Sequence, residues 1–151
     1  MSKLDKDVQD AKRVLLKSLD RNINAKHVLK VMATVPRELF VPPESHYMAY
    51  HDLPINIGHG QTISQPYIVA LMTAALDLKG SERVLEVGTG SGYQSAVLSM
   101  LTPNGHVLTV ERLPILADRA RILLLGLGYR NVKVGLAGLT LGSQENSPFD
   151  A

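Results

Sequence analysis

The sequence predicts an α/β fold in which a parallel β-sheet carries helices on both faces. Three observations lead there. From Ser81 onward, apolar β-rich runs and helical runs alternate as strand, helix, strand, helix, strand, the pattern that right-handed crossovers turn into a parallel sheet. The first of these strands runs straight into a glycine-rich turn, Gly88-Thr89-Gly90-Ser91-Gly92, followed at once by an apolar helical pattern. The chain has 151 residues, 45% hydrophobic and 20% charged, which suits a soluble globular protein with a real core.

Taken in order, the first element is a helix over Leu4–Leu19, where Leu4, Val8, Ala11, Leu15 and Leu19 form one apolar stripe. Lys12, Arg13, Lys17 and Arg21 are interleaved with Asp5, Asp7, Asp10 and Asp20, which marks a solvated face. A second helix covers Ala25–Ala33, with Asn24 as its expected cap. Pro36, Pro42 and Pro43 break the pattern, and Val35–Pro43 reads as an ordered loop. His46–Gln61 reads as a functional loop, because Tyr47, Tyr50, Leu53, Ile55 and Ile57 need somewhere to pack. Pro66 suits the first turn of a helix over Tyr67–Leu78, with Ser64 or Gln65 near the cap and serine the better capping residue. Strands follow near Arg83–Val87, His106–Val110 and Asn131–Gly135. Helices fall near Gln94–Leu101 and Ile115–Leu125, the second ended by Gly126 and Gly128. Ser147–Ala151 reads as the entrance to a fourth strand. The sheet is therefore expected to be thin and truncated after its third strand, with an exposed edge on Arg83–Val87 that invites association. Two subregions are expected: residues 1–80, helices and loops, and 81–151, a partial parallel sheet.

The chemistry concentrates in Val84–Tyr93. A glycine loop lets a ligand approach backbone that side chains would otherwise shield. The dinucleotide fingerprint needs a small third residue, and that position here is Tyr93. There is no Gly-Lys-Ser/Thr for a phosphate loop, and Ser91 sits one place too late for a nucleophile elbow. What remains is E-x-G-x-G-x-G. Glu86, two places before Gly88, can hold a polar or cationic group, so the ligand is nucleotide-like with a nearest part that is not a pyrophosphate. Glu111 ends the next strand about twenty residues on, where α/β nucleotide sites place the carboxylate that accepts from ribose hydroxyls. The competing reading makes Glu111 a solvated strand end paired with Arg112 or Arg119.

The composition excludes several classes. Net charge is +2, so nothing points to nucleic acid or an anionic membrane. There is no cysteine, which rules out disulfides, thiolate metal sites and cysteine nucleophiles. The five histidines show no metal-site spacing, and His59 reads as a hydrogen-bonded loop residue. With no signal peptide and no membrane-length apolar run, a cytoplasmic location is expected.

Several stretches together resemble a known family. VPRELFVP (Val35–Pro42), Gly60-Gln61-Thr62-Ile63-Ser64-Gln65-Pro66, VLEVGTGSGYQSAVLS (Val84–Ser99), VLTVER (Val107–Arg112), NVKV (Asn131–Val134) and PFDA (Pro148–Ala151) are similar, in this order, to the amino-terminal two-thirds of protein-L-isoaspartate O-methyltransferases. The Thr-Ile-Ser-x-Pro element followed by the glycine loop is the specific part. The resemblance implies a Rossmann-like class I methyltransferase fold and S-adenosyl-L-methionine as cofactor. It implies methyl transfer to the free α-carboxylate of isoaspartyl residues in damaged peptides and proteins. The ester then cyclises to a succinimide that can reopen to normal aspartate, a repair reaction. A carboxylate acceptor with a pKa of about 4 is already ionised at pH 7, so the chemistry needs alignment and exclusion of water more than a general base.

The resemblance also implies roles, with residues 1–80 forming one wall of the substrate cleft and 81–151 a partial Rossmann-like S-adenosyl-L-methionine-binding subregion. Gly88, Gly90 and Gly92 shape the cofactor loop, Glu86 sits near the methionine amino group and Glu111 holds the ribose. Thr62, Ile63, Ser64 and Gln65 line the junction of cofactor and substrate, and Ser64 is the expected catalytic residue, a donor that positions the acceptor carboxylate. The family's Gly-Asp-Gly after the third strand corresponds to Ala137-Gly138-Leu139, so Gly138 stands at the cofactor-binding aspartate position without a side chain. A complete protein of this kind is expected to be a monomer, and this chain weak or inactive. The alternatives are a non-catalytic cofactor- or partner-binding remnant and a NAD-binding oxidoreductase module.

Overall fold

The computed structural model describes residues 3–138 and 143–151. The chain divides into two compact units, Met1–Ala75 and Leu76–Ala151.

The first unit begins with helices α1 (Lys3–Leu19) and α2 (Lys26–Thr34). The α1 stripe delivers Leu15 and Leu19 to the core, where α2 adds Val28, Leu29 and Met32; the Leu4 side chain lies outside the described part. Asn24 does not cap α2. Ala25 occupies that position and no side chain bonds there. The proline-rich stretch is ordered as two 3₁₀ turns, Arg37–Phe40 and Pro43–Met48. The region read as loop up to Gln61 instead contains half of an antiparallel hairpin, β1 (Ile55–Gly58) and β2 (Gln61–Ile63), with Ile55 opposite Ile63. Ile55, Ile57 and Ile63 are all buried, so their alternation with polar neighbours is that of a half-buried strand pair. Helix α3 (Pro66–Ala75) follows.

The second unit holds the parallel sheet in the order β3 (Arg83–Val87), β4 (His106–Glu111), β5 (Val132–Leu136). Helix α4 (Tyr93–Leu101) links β3 to β4, and α5 (Pro114–Gly126) links β4 to β5. Strands that advance in one direction through right-handed crossovers place their helices on the same face. Gly92, at the start of α4, accordingly abuts α5: a Cβ there would lie 3.2 Å from Leu124 and 3.4 Å from Ala120. The core beneath is Leu78, Val84, Leu98 and Val107. Asn131 ties the end of α4 to the start of β5, donating to the Ser99, Thr102 and Gly105 carbonyls and accepting from the Ser99 hydroxyl.

The outer edge of β3 is not wholly bare, as the sequence led one to expect. The Asp150 amide donates to the Arg83 carbonyl at 2.8 Å, and the Leu85 amide donates to the Ala151 carbonyl at 2.9 Å. The Asp150 carboxylate also accepts from the Arg83 amide at 2.8 Å. Arg83 completes the clasp by donating to the Asn146 carbonyl at 2.6 Å and lying 5.9 Å from the centre of the Phe149 ring. Val87, at the far end of β3, is half exposed.

Candidate functional site

The glycine loop is built from the ends of two strands. The Gly88 amide donates to the Val110 carbonyl at 2.8 Å and the Thr89 amide to the same oxygen at 3.3 Å, so the loop is stitched to the carboxyl end of β4. Gly88 has φ +97° and a Cβ there would meet nothing within 4 Å. Its backbone therefore faces open space that any side chain would invade. Gly92 caps α4 with φ +87° and lets the start of α4 lie close against α5, one residue before the position where the dinucleotide fingerprint asks for a small residue. That offset lets Tyr93 be a buried helix residue.

Two carboxylates frame the loop, and they differ in kind. Glu111 is only 7% exposed. Its Oε2 accepts from the Gly90 amide at 2.8 Å and its Oε1 from the Leu113 amide at 3.0 Å. Among the described residues it forms no ion pair with Arg112 or Arg119, so the solvated strand-end reading fails. Each carboxylate oxygen retains a further acceptor position for a hydroxyl. Glu86 lies beside Thr109 across the β3–β4 pairing. Burial of its carboxyl group pushes its pKa up to about 7; hydrogen bonds from the Ser95 and Thr109 side chains act against this, and the nearby Glu111 charge adds to the rise. Ser95 Oγ donates to Glu86 Oε2.

Below the loop sits a hydroxyl pair that sequence reasoning missed. Thr89 Oγ1 and Thr109 Oγ1 are 2.6 Å apart, and both residues are buried. In sequence Thr109 passes as an ordinary β-former in an apolar strand. Its position opposite an acidic residue was the available signal.

In the first unit, Thr62–Gln65 spans the end of β2 and the approach to α3. Thr62 and Ser64 are exposed, Gln65 is partly buried and Ile63 is 5% exposed. Ile63 packs opposite Ile55, which leaves only its backbone available to a ligand. Ser64 does not cap α3. The Gln65 carbonyl accepts the first helical bond, from Val69 at 3.2 Å, and the side-chain cap comes from Asp52, whose Oδ1 accepts from the Tyr67 amide at 2.8 Å. His59 is exposed at the hairpin tip with φ +54°. It has no hydrogen-bond partner among the described residues, against the expectation of a bonded loop histidine.

Gly138 follows β5 on the same end of the sheet as Glu111, since the Ala137 amide donates to the Glu111 carbonyl at 2.8 Å. A Cβ on Gly138 would meet nothing within 4 Å. Leu139, the last residue of the aligned stretch, lies outside the described residues. Among the described residues no group of three or more His, Asp or Glu could hold a metal ion, and no helix is long and apolar enough to cross a membrane.

A relative from Ignicoccus hospitalis, named protein-L-isoaspartate O-methyltransferase, is 49% identical over 95% of this chain and 69% of its own length. One of the same name from Methanococcus aeolicus is 53% identical over 83% of this chain and 58% of its own length. A solved protein-L-isoaspartate O-methyltransferase superposes with a TM-score of 0.79 at 29% identity, covering 91% of this chain and 45% of that one. A structure described as a beta-aspartate methyltransferase from Plasmodium falciparum, in complex with S-adenosyl-L-homocysteine, superposes with a TM-score of 0.69 at 28% identity, covering 81% of this chain and 61% of that one. The chain thus spans about half to two-thirds of the relatives it matches. The family model for Protein-L-isoaspartate(D-aspartate) O-methyltransferase matches residues 10–151, and the chain belongs to that family, with its Rossmann-like class I methyltransferase fold.

Proposed function

We propose that this chain binds S-adenosyl-L-methionine and serves methyl transfer to the α-carboxylate of isoaspartyl residues in peptides and proteins. The observation that carries the reading is the pair Glu86 and Glu111 around an open glycine loop. Glu111 is buried and held by two amides, an acceptor preset for a ribose diol. Glu86 carries a pKa near 7, poised to become an anion when a cation arrives. Exposed backbone at Gly88 admits close approach. These residues fit a nucleoside with a cationic amino-acid tail better than a dinucleotide, whose pyrophosphate would meet two carboxylates.

The cofactor supplies an electrophilic methyl group on a sulfonium. The chain's own work is binding and orientation. Glu86 gives up its proton and holds the donor's ammonium group; Glu111 accepts from sugar hydroxyls; Gly88, Gly90 and Gly92 keep the loop close to the ligand. The Ser64 hydroxyl donates to the acceptor carboxylate and orients one oxygen for attack. Thr62, Gln65 and the Ile63 backbone support it. No residue needs to act as a base, because the acceptor is already an anion at neutral pH. Cytoplasmic repair of damaged protein is the corresponding role.

Calorimetry with S-adenosylhomocysteine and with NAD tests the donor site. Binding of the first and not the second is expected, and preference for NAD would sink the reading. A second reading, a non-catalytic cofactor- or partner-binding remnant, is favoured by Gly138, which offers no acceptor where the family carries aspartate and so weakens the hold on the donor. Methyl transfer to an isoaspartyl peptide separates the two.

A further inference from the structure

Arg37 is the most fully buried charged residue of the first unit, with no exposed surface, although its neighbours in sequence, Pro36 and Glu38, give it the look of a surface residue. A buried guanidinium is costly unless its donors meet acceptors. Arg37 meets two carbonyls from distant turns. Its Nε donates to the Ala49 carbonyl at 2.8 Å and its Nη2 donates to the Ser64 carbonyl at 2.7 Å. Both are charge-assisted bonds in a planar fork, a geometry that fixes direction as well as distance.

The place it grips is informative. Pro66 has no amide hydrogen, so the turn from β2 to α3 is poor in backbone donors of its own. The chain is held there from outside: Arg37 supplies a donor to the Ser64 carbonyl on one side, and Asp52 supplies an acceptor to the Tyr67 amide on the other. Between the two anchors the Ser64 side chain stands exposed and does not cap the helix. Such a tether is wasted on a passive turn and useful for a hydroxyl that must be presented in one orientation.

We infer that Arg37 is a positioning residue, which fixes the Ser64 hydroxyl by clamping the Ser64 carbonyl to that of Ala49. The catalytic meaning of this clamp rests on the methyltransferase reading; the clamp itself does not. The test compares the full chain with Arg37→Lys, which keeps the charge but cannot span both carbonyls, and with Arg37→Met. Amide hydrogen exchange and backbone order parameters are read residue by residue. In Arg37→Lys, the order parameters at Ser64 and Gln65 should drop from about 0.85 to below about 0.6, and the Val69 amide, which donates to the Gln65 carbonyl, should exchange at least about tenfold faster. The amides of α1 and α2 should be unchanged, and affinity for S-adenosylhomocysteine should stay within about twofold. Unchanged Ser64 dynamics, or loosening spread evenly through the first unit, would overturn the assignment, the second because it makes Arg37 general packing. If neither variant folds, the unaltered protein decides: a scalar coupling across the hydrogen bond from the Arg37 guanidinium to the Ser64 carbonyl is expected, and a freely exchanging guanidinium without it would refute the clamp. Loss of S-adenosylhomocysteine binding by the unaltered protein would strike the donor reading alone, since the exchange and coupling measurements do not use the ligand.

Discussion

The Gly90 amide donates to the Glu111 carboxylate at 2.8 Å, across an interval of 21 residues. This bond joins the tip of the glycine loop to the end of β4, so the loop's shape and the ribose contact proposed for Glu111 depend on the same side chain. Replacing Glu111 by Ala strands the Gly90 and Leu113 amides. Each unsatisfied donor costs about 1–3 kcal/mol. A fall in thermal midpoint is expected together with at least about tenfold weaker binding of S-adenosylhomocysteine. Glu111→Gln, which keeps one acceptor oxygen, should recover part of the stability. Unaltered stability in Glu111→Ala would show that the loop does not lean on this carboxylate.

Glu86 makes stability depend on pH in an unusual sense. Its pKa rises from an ordinary 4.5 to about 7, mainly through burial. Between those values the folded protein holds a proton that the unfolded chain has released, so stability falls as pH rises. The contribution is complete below about pH 4.5 and lost by about pH 7, a change of about 3 kcal/mol. Urea unfolding at pH 5 and pH 8 should show it, and Glu86→Gln should flatten it. A cationic ligand stabilises the ionised form, so binding of S-adenosylhomocysteine near pH 6.5 should release protons, visible as a calorimetric heat that depends on the buffer.

Asp52 and Ser64 make opposite predictions. Asp52→Ala removes the cap of α3 and should cost about 1 kcal/mol in chemical denaturation. Ser64→Ala should stay within about 0.5 kcal/mol of the parent and reduce methyl transfer while leaving donor affinity intact. A Ser64→Ala protein with undiminished turnover would remove the hydroxyl from the mechanism.

Gly138 offers a gain instead of a loss. The space around its Cβ position is open, so Gly138→Asp can be accommodated at the end of β5. One added hydrogen bond to a charged carboxylate is worth about 1.5–3 kcal/mol, or at least roughly tenfold tighter binding of S-adenosylhomocysteine. No change in affinity would place this position away from the ligand.

The sheet and its glycine loop were legible because each strand is a short apolar run and each helix has its own period. Glu86 and Glu111 stood out as acids at strand ends. The hairpin was not legible. Its tip needs Gly58, His59 and Gly60 all at positive φ, and a histidine there hides the turn. Asp52 caps a helix from 15 residues away, and Arg37 bonds across 27 residues to Ser64. Neither relation leaves a local signature. Asn24 failed for the reverse reason: a favourable capping residue stood one place too early.

The grip of Asp150 on Arg83 has a consequence of its own. Side chain and main chain of Asp150 seize the same residue, while Phe149 lies against its guanidinium. Slide that segment by one place and every one of these partners is lost together. The seating is keyed, not merely adhesive, and β3 accepts its outer neighbour already indexed.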